Sequence, residues 1–259
     1  MNGWQALEAE IGRWRDLGRT VDLWWRDDDA VDAGPALDRL LDIRAATGMP
    51  LALAVVPSQA TAALAARLAG EGAVDVLQHG YAHTNHAPPG DKKIELGPHR
   101  PAMLVLGELG TGWLALERLF GRKAQPVMVP PWNRIAPALI PTLPEIGFVG
   151  LSTFGPRKRR DPVRGLRQVN THVDLIAWQE TRGFVGEAAA LGQLVAALTR
   201  ARAGIPGGNA EPIGILSHHL AMDEPAWDFL QSFLEGAKTL SGVKLVPAVE
   251  LFASREARG

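Results

Sequence analysis

The sequence predicts an α/β protein built from repeated β–α units around a mostly parallel sheet, and three observations predict it. Short apolar runs alternate with longer segments of helical apolar spacing. One short run, Leu51–Val56 (LALAVV), is apolar throughout and β-branched at its end, which suits a strand covered on both faces. Acids and imidazoles gather just past the ends of the predicted strands, where parallel α/β folds collect their functional groups.

Taken in order, Val21–Arg26 (VDLWWR) reads as a strand that runs into three acids. Pro35–Thr47 carries Leu37, Leu40, Leu41 and Ile43 at helical spacing and is stopped by Gly48 and Pro50. After Leu51–Val56 come an alanine- and leucine-rich helix, Ala60–Ala69, and a strand, Val74–Leu77. A helix fits Ala102–Phe120, a strand Pro126–Val129, a helix Ala136–Ile146 and a strand Phe148–Ser152. The last third gives a helix near Glu187–Arg202, a strand Ile213–Leu216, a helix Ala226–Thr239 and a strand Val243–Val246. Two stretches break the rhythm. His83–His99 is polar and rich in Pro and Gly directly after a strand, and loops of that length are more often functional than accidental. Gly155–Arg167 holds a basic run, Arg157–Arg160, which reads as a solvated loop, with a patch for an acidic substrate as the second reading. Gly204–Pro212 reads as a connection.

The composition narrows the function. The chain has 259 residues, a length at which barrel-type α/β folds remain one domain, so residues 1–259 are read as a single domain. Lys and Arg total 27 against 28 for Asp and Glu, a balance that gives no reason to expect nucleic acid or an anionic membrane as partner. The absence of cysteine removes disulfides, thiolate nucleophiles and Cys-type zinc sites. The N-terminal residues carry charges throughout without an apolar core, and no run of about 18 apolar residues exists, so a soluble, cytoplasmic protein is expected. Oligomeric state is left open.

The chemistry sits at four strand ends: Asp27, Asp28 and Asp29; His79, His83 and His86; Pro130, Pro131, Trp132 and Asn133; and Ser217, His218 and His219. Three consecutive carboxylates repel one another and are costly to desolvate, a cost that a divalent cation offsets. One Asp with two neutral imidazoles makes a three-ligand site with an open position, the pattern of catalytic zinc. A lone strand-end Asp is more often a helix cap, and a lone His pair more often incidental. It is their coincidence, with a further His pair at another strand end, that favours a metal. Strand alternation puts Asp22, Trp24, Arg26 and Asp28 on the inward parity if Leu23 and Trp25 face the outer helices. Ser152 and Ser217 lie in no Gly-x-Ser-x-Gly elbow, and Gly110-Thr111-Gly112 falls inside a predicted helix, so neither an esterase triad nor a nucleotide fingerprint is present.

Asp28-Asp29, His79-x-x-x-His83, Pro130-Pro131-Trp132 and Leu216-Ser217-His218, in this order and spacing, resemble the motif pattern of the polysaccharide deacetylase superfamily (NodB homology, carbohydrate esterase family four), over roughly residues 21 to 220. The resemblance implies a distorted (β/α)7-type barrel and metal-dependent removal of an acetyl group from an N- or O-acetylated sugar. It implies Asp28 as general base, Asp29, His79 and His83 as ligands of a divalent metal (zinc first, with cobalt, nickel or manganese as alternatives) and His218 as general acid. Pro131, Trp132 and Leu216 would line the substrate site. A shifted register, Asp27 as base and Asp28 as ligand, stays open.

The departures from the pattern matter. Val129 stands where the family usually carries an Arg that pairs with the base, and Arg26 or Arg134 could supply the guanidinium. Ala30 replaces a small glycine, and the nearest candidate for the fourth motif is Asn170–Asp174, with Trp178 beyond it. Asn85, His86, His219 and Asp223 are read as supporting or surface groups, and Tyr81 either reaches the mouth or packs beneath it. Two further functions stay in play: a hydrolase of small non-sugar amides on the same scaffold, and a non-catalytic carbohydrate-binding protein.

Overall fold

Ten residues, Val21–Ala30, form β1, the longest strand and the one on which the sheet is laid out. Its apolar half alternates in function. Leu23 and Trp25 pack outward into the layer shared with the helices, while Trp24 packs inward with Ala52, Ala54, Leu77, Val127 and Val129. The inward parity expected for Trp24 and Arg26 is therefore the parity observed. The computed structural model describes residues 3–204 and 210–253. Most of the expected Gly204–Pro212 connection thus lies outside the described residues.

Eight further strands follow: β2 (Leu51–Val55), β3 (Val74–His79), β4 (Ala124–Val129), β5 (Gly150–Leu151), β6 (Arg167–Gln168), β7 (Val173–Asp174), β8 (Ile213–Ser217) and β9 (Val243–Leu245). They run in the order β6-β5-β4-β3-β2-β1-β8-β7, and every pairing is parallel. β9 joins only the start of β1, Val21 opposite Val243. The two outer strands of this order are the ends of one extended run, residues 167–174. On one side Val169 N–H donates to Leu151 O (3.1 Å) and Thr171 N–H to Thr153 O (3.0 Å). On the other, His172 N–H donates to Gly214 O (2.7 Å) and Leu175 N–H to Leu216 O (3.1 Å). The run thus bonds β5 with its first half and β8 with its second, and closes a ring of seven: β1 to β5, this run, and β8. That is the distorted (β/α)7 barrel. Closure also removes the exposed edges an open sheet would present.

The helices α1 (Gly3–Asp16), α2 (Pro35–Thr47), α3 (Ala62–Ala69), α4 (Ala102–Phe120), α5 (Glu187–Ala203), α6 (Glu224–Thr239) and the short α7 (Ala248–Phe252) complete the elements. α1 has no counterpart among the expected elements, although Leu7, Ile11 and Trp14 stand at i, i+4 and i+7 and are all buried. The expected helix over 136–146 is instead two 3₁₀ segments, Pro137–Thr142 and Pro144–Ile146. Pro137, Pro141 and Pro144 remove the N–H donors an α-helical ladder needs. No helix among the described residues is long and apolar enough to cross a membrane.

Gly214, on the inward parity of β8, has no room for a side chain: a Cβ there would stand 2.5 Å from Trp24 Nε1 and 2.8 Å from the Thr171 Cα. Because the second neighbour is backbone of the closing run, Gly214→Ala is expected to lower stability by about 1–3 kcal/mol through overpacking. The denaturation midpoint, at unchanged slope, measures it.

Candidate metal centre

The three acids that end β1 are sent to three different places. The β1–β2 register slips between Asp27, opposite Leu53, and Ala30, opposite Val55, so Asp28 and Asp29 together face Ala54. This is a β-bulge, and Asp29 sits in it with φ of 73°. Without the bulge, alternation would send Asp28 and Asp29 to opposite faces. With it, Asp28 keeps the inward parity and pairs with Arg26 while Asp29 reaches the imidazoles. Asp27 points to the outer face. It accepts from Ser217 Oγ (2.6 Å) and the His219 N–H (3.0 Å), and it pairs with the His219 ring.

Asp29, His79 and His83 bring one potential ligand atom each to within 4.8 Å of one another. Asp29 Oδ1 lies 3.1 Å from His79 Nε2 and 3.2 Å from His83 Nε2. Donors roughly 2.0–2.2 Å from one tetrahedral ion stand about 3.3–3.6 Å apart, close to the spacing found here. His79 Nδ1 faces Val129 O at 3.0 Å; a carbonyl only accepts, so this nitrogen carries the proton. In the neutral ring Nε2 then turns a lone pair toward a carboxylate. Two acceptors at that distance repel unless a proton or a cation lies between them, so the residues fit a cation.

The electrostatics agree. Burial pushes the Asp29 carboxyl up, but the His79 hydrogen bond and the charges of His79, His218 and His83 outweigh it and hold the carboxyl well below the usual range. Burial pushes His79 down, and Asp28 and Asp29 more than reverse it. His83 is pushed down by burial and by its neighbour His79.

Arg26 and Asp28 form a buried bidentate pair. Arg26 Nε donates to Asp28 Oδ1 (2.8 Å) and Nη2 to Asp28 Oδ2 (2.9 Å), with side-chain exposures of 0% and 2%. The same guanidinium donates to Ser152 Oγ (2.7 Å) and Asn133 Oδ1 (2.7 Å). Arg26, not Arg134, therefore partners the acid; Arg134 reaches away to the Lys93 carbonyl. Asn133 and Trp132 both have positive φ, 56° and 54°, and His83 has 55°. Of the six non-glycine residues with positive φ among the described residues, Asp29, His83, Trp132 and Asn133 stand here. Such backbone is costly and persists where the surroundings over-determine it.

The His83 ring also packs on Trp132, 4.4 Å between centroids. Pro131 is buried against Gly80, and Leu216 is buried opposite Arg26 in the β1–β8 ladder. His218 follows β8. Its ring lies edge-on to Trp178 at 4.8 Å, and its buried Nδ1 has no hydrogen-bond partner, Asp174 Oδ1 being 3.8 Å away. Asp174 in turn accepts from Trp178 Nε1 (3.0 Å) and the Ile176 N–H (3.0 Å), and burial raises its carboxyl. The expected fourth motif thus supplies Asp174 to the neighbourhood of His218. His172 instead faces Glu211 (3.4 Å) and the Gly214 N–H.

Other candidates have structural work. Asn85 Oδ1 accepts from the Ala87 and Ile94 N–H groups, Asp223 caps α6 and accepts from Phe184 N–H, and Tyr81 packs against the apolar cluster that includes Leu96 and Val105. Arg157 is not solvated: its side chain is 3% exposed and donates to the Gln168 and Ala210 carbonyls. It lines a cavity of about 270 Å³ with Asp22, Arg160, Arg167 and Lys244, by the starts of β1 and β8 and so at the opposite end of the barrel from the Asp29 cluster. Sequence reading missed Glu95, a buried acid within the 83–99 loop.

No family model matches the sequence, and no curated protein matches it. Solved structures do. A candidate polysaccharide deacetylase from Mycobacterium smegmatis superposes with a TM-score of 0.64 at 16% identity, covering 93% of this chain and 92% of its own. The peptidoglycan deacetylase PdaC from Bacillus subtilis gives 0.57 at 14%, covering 92% and 93%. A family 4 acetyl xylan esterase from Clostridium thermocellum, in complex with a cobalt ion, gives 0.50 at 17%, covering 89% of each chain. The fold is that of the NodB-like polysaccharide deacetylases.

Replacing Arg26 with Met strands the buried Asp28 carboxylate. Stability is expected to fall by about 3–5 kcal/mol, and R26M/D28N to recover part of it, in a double-mutant cycle read by denaturant unfolding. The second test concerns the Asp27–His219 pair. Burial pushes His219 down, but Asp27 outweighs it and the imidazole titrates above its usual value. A raised folded-state value stabilises fully below the unfolded value of about 6.5 and fades as pH rises through the folded one. The wild type's stability advantage over His219→Gln is therefore expected to be larger at pH 5.5 than at pH 9.

Proposed function

We propose that this chain is a metal-dependent hydrolase that removes an acetyl or similar acyl group from an N- or O-acetylated carbohydrate. The observation that carries this reading is the convergence of Asp29, His79 and His83, with Asp29 Oδ1 3.1 and 3.2 Å from the two imidazole Nε2 atoms, beside a buried Asp28 held by Arg26. The fold supports it: two of the proteins that share it are a peptidoglycan deacetylase and an acetyl xylan esterase in complex with a cobalt ion.

Asp29 Oδ1, His79 Nε2 and His83 Nε2 would hold the ion, zinc by donor type, with cobalt, nickel or manganese as alternatives. When bound, such an ion polarises the acyl oxygen and acidifies water. The rest falls to the protein. Asp28 accepts the proton of the attacking water, and the two parallel bonds from Arg26 fix its carboxylate in one orientation. His218 donates a proton to the departing amine or alcohol; Trp178 packs edge-on to its ring, and Asp174 Oδ1 stands 3.8 Å from its Nδ1. Trp132, packed against His83, offers an apolar wall, and Pro131 and Leu216 would add apolar surface to the substrate site.

The test combines two variants. His79→Ala is expected to lose both bound metal and turnover. Asp28→Asn keeps the metal and loses turnover by roughly 10²–10⁴-fold. Metal content by mass spectrometry and acetate release from acetylated glucosamine and xylose oligomers, with small amides in parallel, measure both. Undiminished turnover in either variant overturns the assignment.

A further inference from the structure

Glu95 lies in the long loop after β3, sixteen residues from the nearest expected ligand on the strand, His79, yet it is 1% exposed. Its carboxylate is spent on the backbone of the turn between His79 and His83. Oε2 accepts from the Tyr81 N–H (3.1 Å), and Oε1 from the Ala82 (2.7 Å) and Thr84 (3.4 Å) N–H groups. The carbonyl side of the same turn is tied to another loop, Tyr81 O accepting from the Ser58 N–H (3.0 Å) and Ala82 O from Gln59 Nε2 (3.0 Å). At its start Gly80 has φ of 58°, and a Cβ there would collide with Glu95 Oε2 and stand 2.6 Å from Pro131. At its end His83 has φ of 55°.

In this turn the Tyr81, Ala82 and Thr84 N–H groups are aimed at Glu95 and are part-buried. Those donors are costly to bury unpaired. One carboxylate satisfies three of them. A neutral amide could not, because its nitrogen would oppose one set of N–H donors.

We infer that Glu95 is the positioning residue for His83: its carboxylate folds the 80–84 turn into the conformation that brings His83 Nε2 to Asp29 and packs the ring against Trp132. The inference rests on the reading of Asp29, His79 and His83 as ligands, and its test separates the two. Glu95→Gln is nearly isosteric and keeps one acceptor. In the metal-free protein, the Tyr81, Ala82 and Thr84 amides are expected to exchange with solvent at least tenfold faster in this variant. NMR is expected to show the His83 ring no longer packed on Trp132. In titrations with Co2+ and Zn2+, the dissociation constant is expected to rise about 10–100-fold, the scale of outer partners that orient a metal ligand. Global unfolding, monitored at the Trp24 core, shows that the variant is folded.

An unchanged metal affinity in folded Glu95→Gln overturns the inference, as does wild-type amide protection with His83 still packed against Trp132. If wild-type protein binds neither ion while the amides and the ring contact still respond to Glu95→Gln, the functional reading fails and the positioning role stands.

Discussion

Three carboxylates on consecutive residues can share one strand only if each is given its own counter-charge, and the rest of the site follows from how that is done. Asp27 is turned outward to Ser217 and His219, Asp28 inward to Arg26, and Asp29 across to His79 and His83. The partners come from β1, β3 and the end of β8, so separating the charges fastens three strands together at one end of the barrel. The bulge at Asp28–Asp29 makes the separation possible, because plain alternation offers two directions and three are needed.

The same arrangement explains why strain collects here. Asp29, His83, Trp132 and Asn133 all occupy left-handed backbone. Each is pinned by a bond or ring contact that the alternative conformation would break: Asp29 to two imidazoles, His83 to Trp132, Asn133 to Arg26. The cost of each is local, and it is offset by contacts reaching in from separate elements.

Much of this was legible in the sequence, for identifiable reasons. Period-two alternation placed Trp24 and Arg26 inward, and the Asp, His and Pro-Pro-Trp clusters at the strand ends are residues the fold brings together at one end of the barrel. The barrel's closure was not legible, since residues 167–174 have neither the length nor the apolar content of an ordinary strand and pair through backbone groups. The 136–146 segment misled because its apolar spacing is helical while its prolines forbid the α ladder. α1 was hidden by its charges, although its apolar stripe was in plain view. Glu95 carried no signal at all: one acid among polar loop residues becomes distinctive only when three N–H groups are seen to converge on it.

The shared strand has a geometric corollary. Residues 167–168 pair with β5 and residues 173–174 with β8, so the run changes partner along its length, with the Phe154–Thr171 bridge between the two pairings. Beside it lies a hollow of about 460 Å³ bordered by Phe154, His172, Asp174, Ile176 and residues of α5. Asp174 borders this hollow and also stands 3.8 Å from His218 Nδ1, so an acid beside His218 is carried by the run that closes the ring.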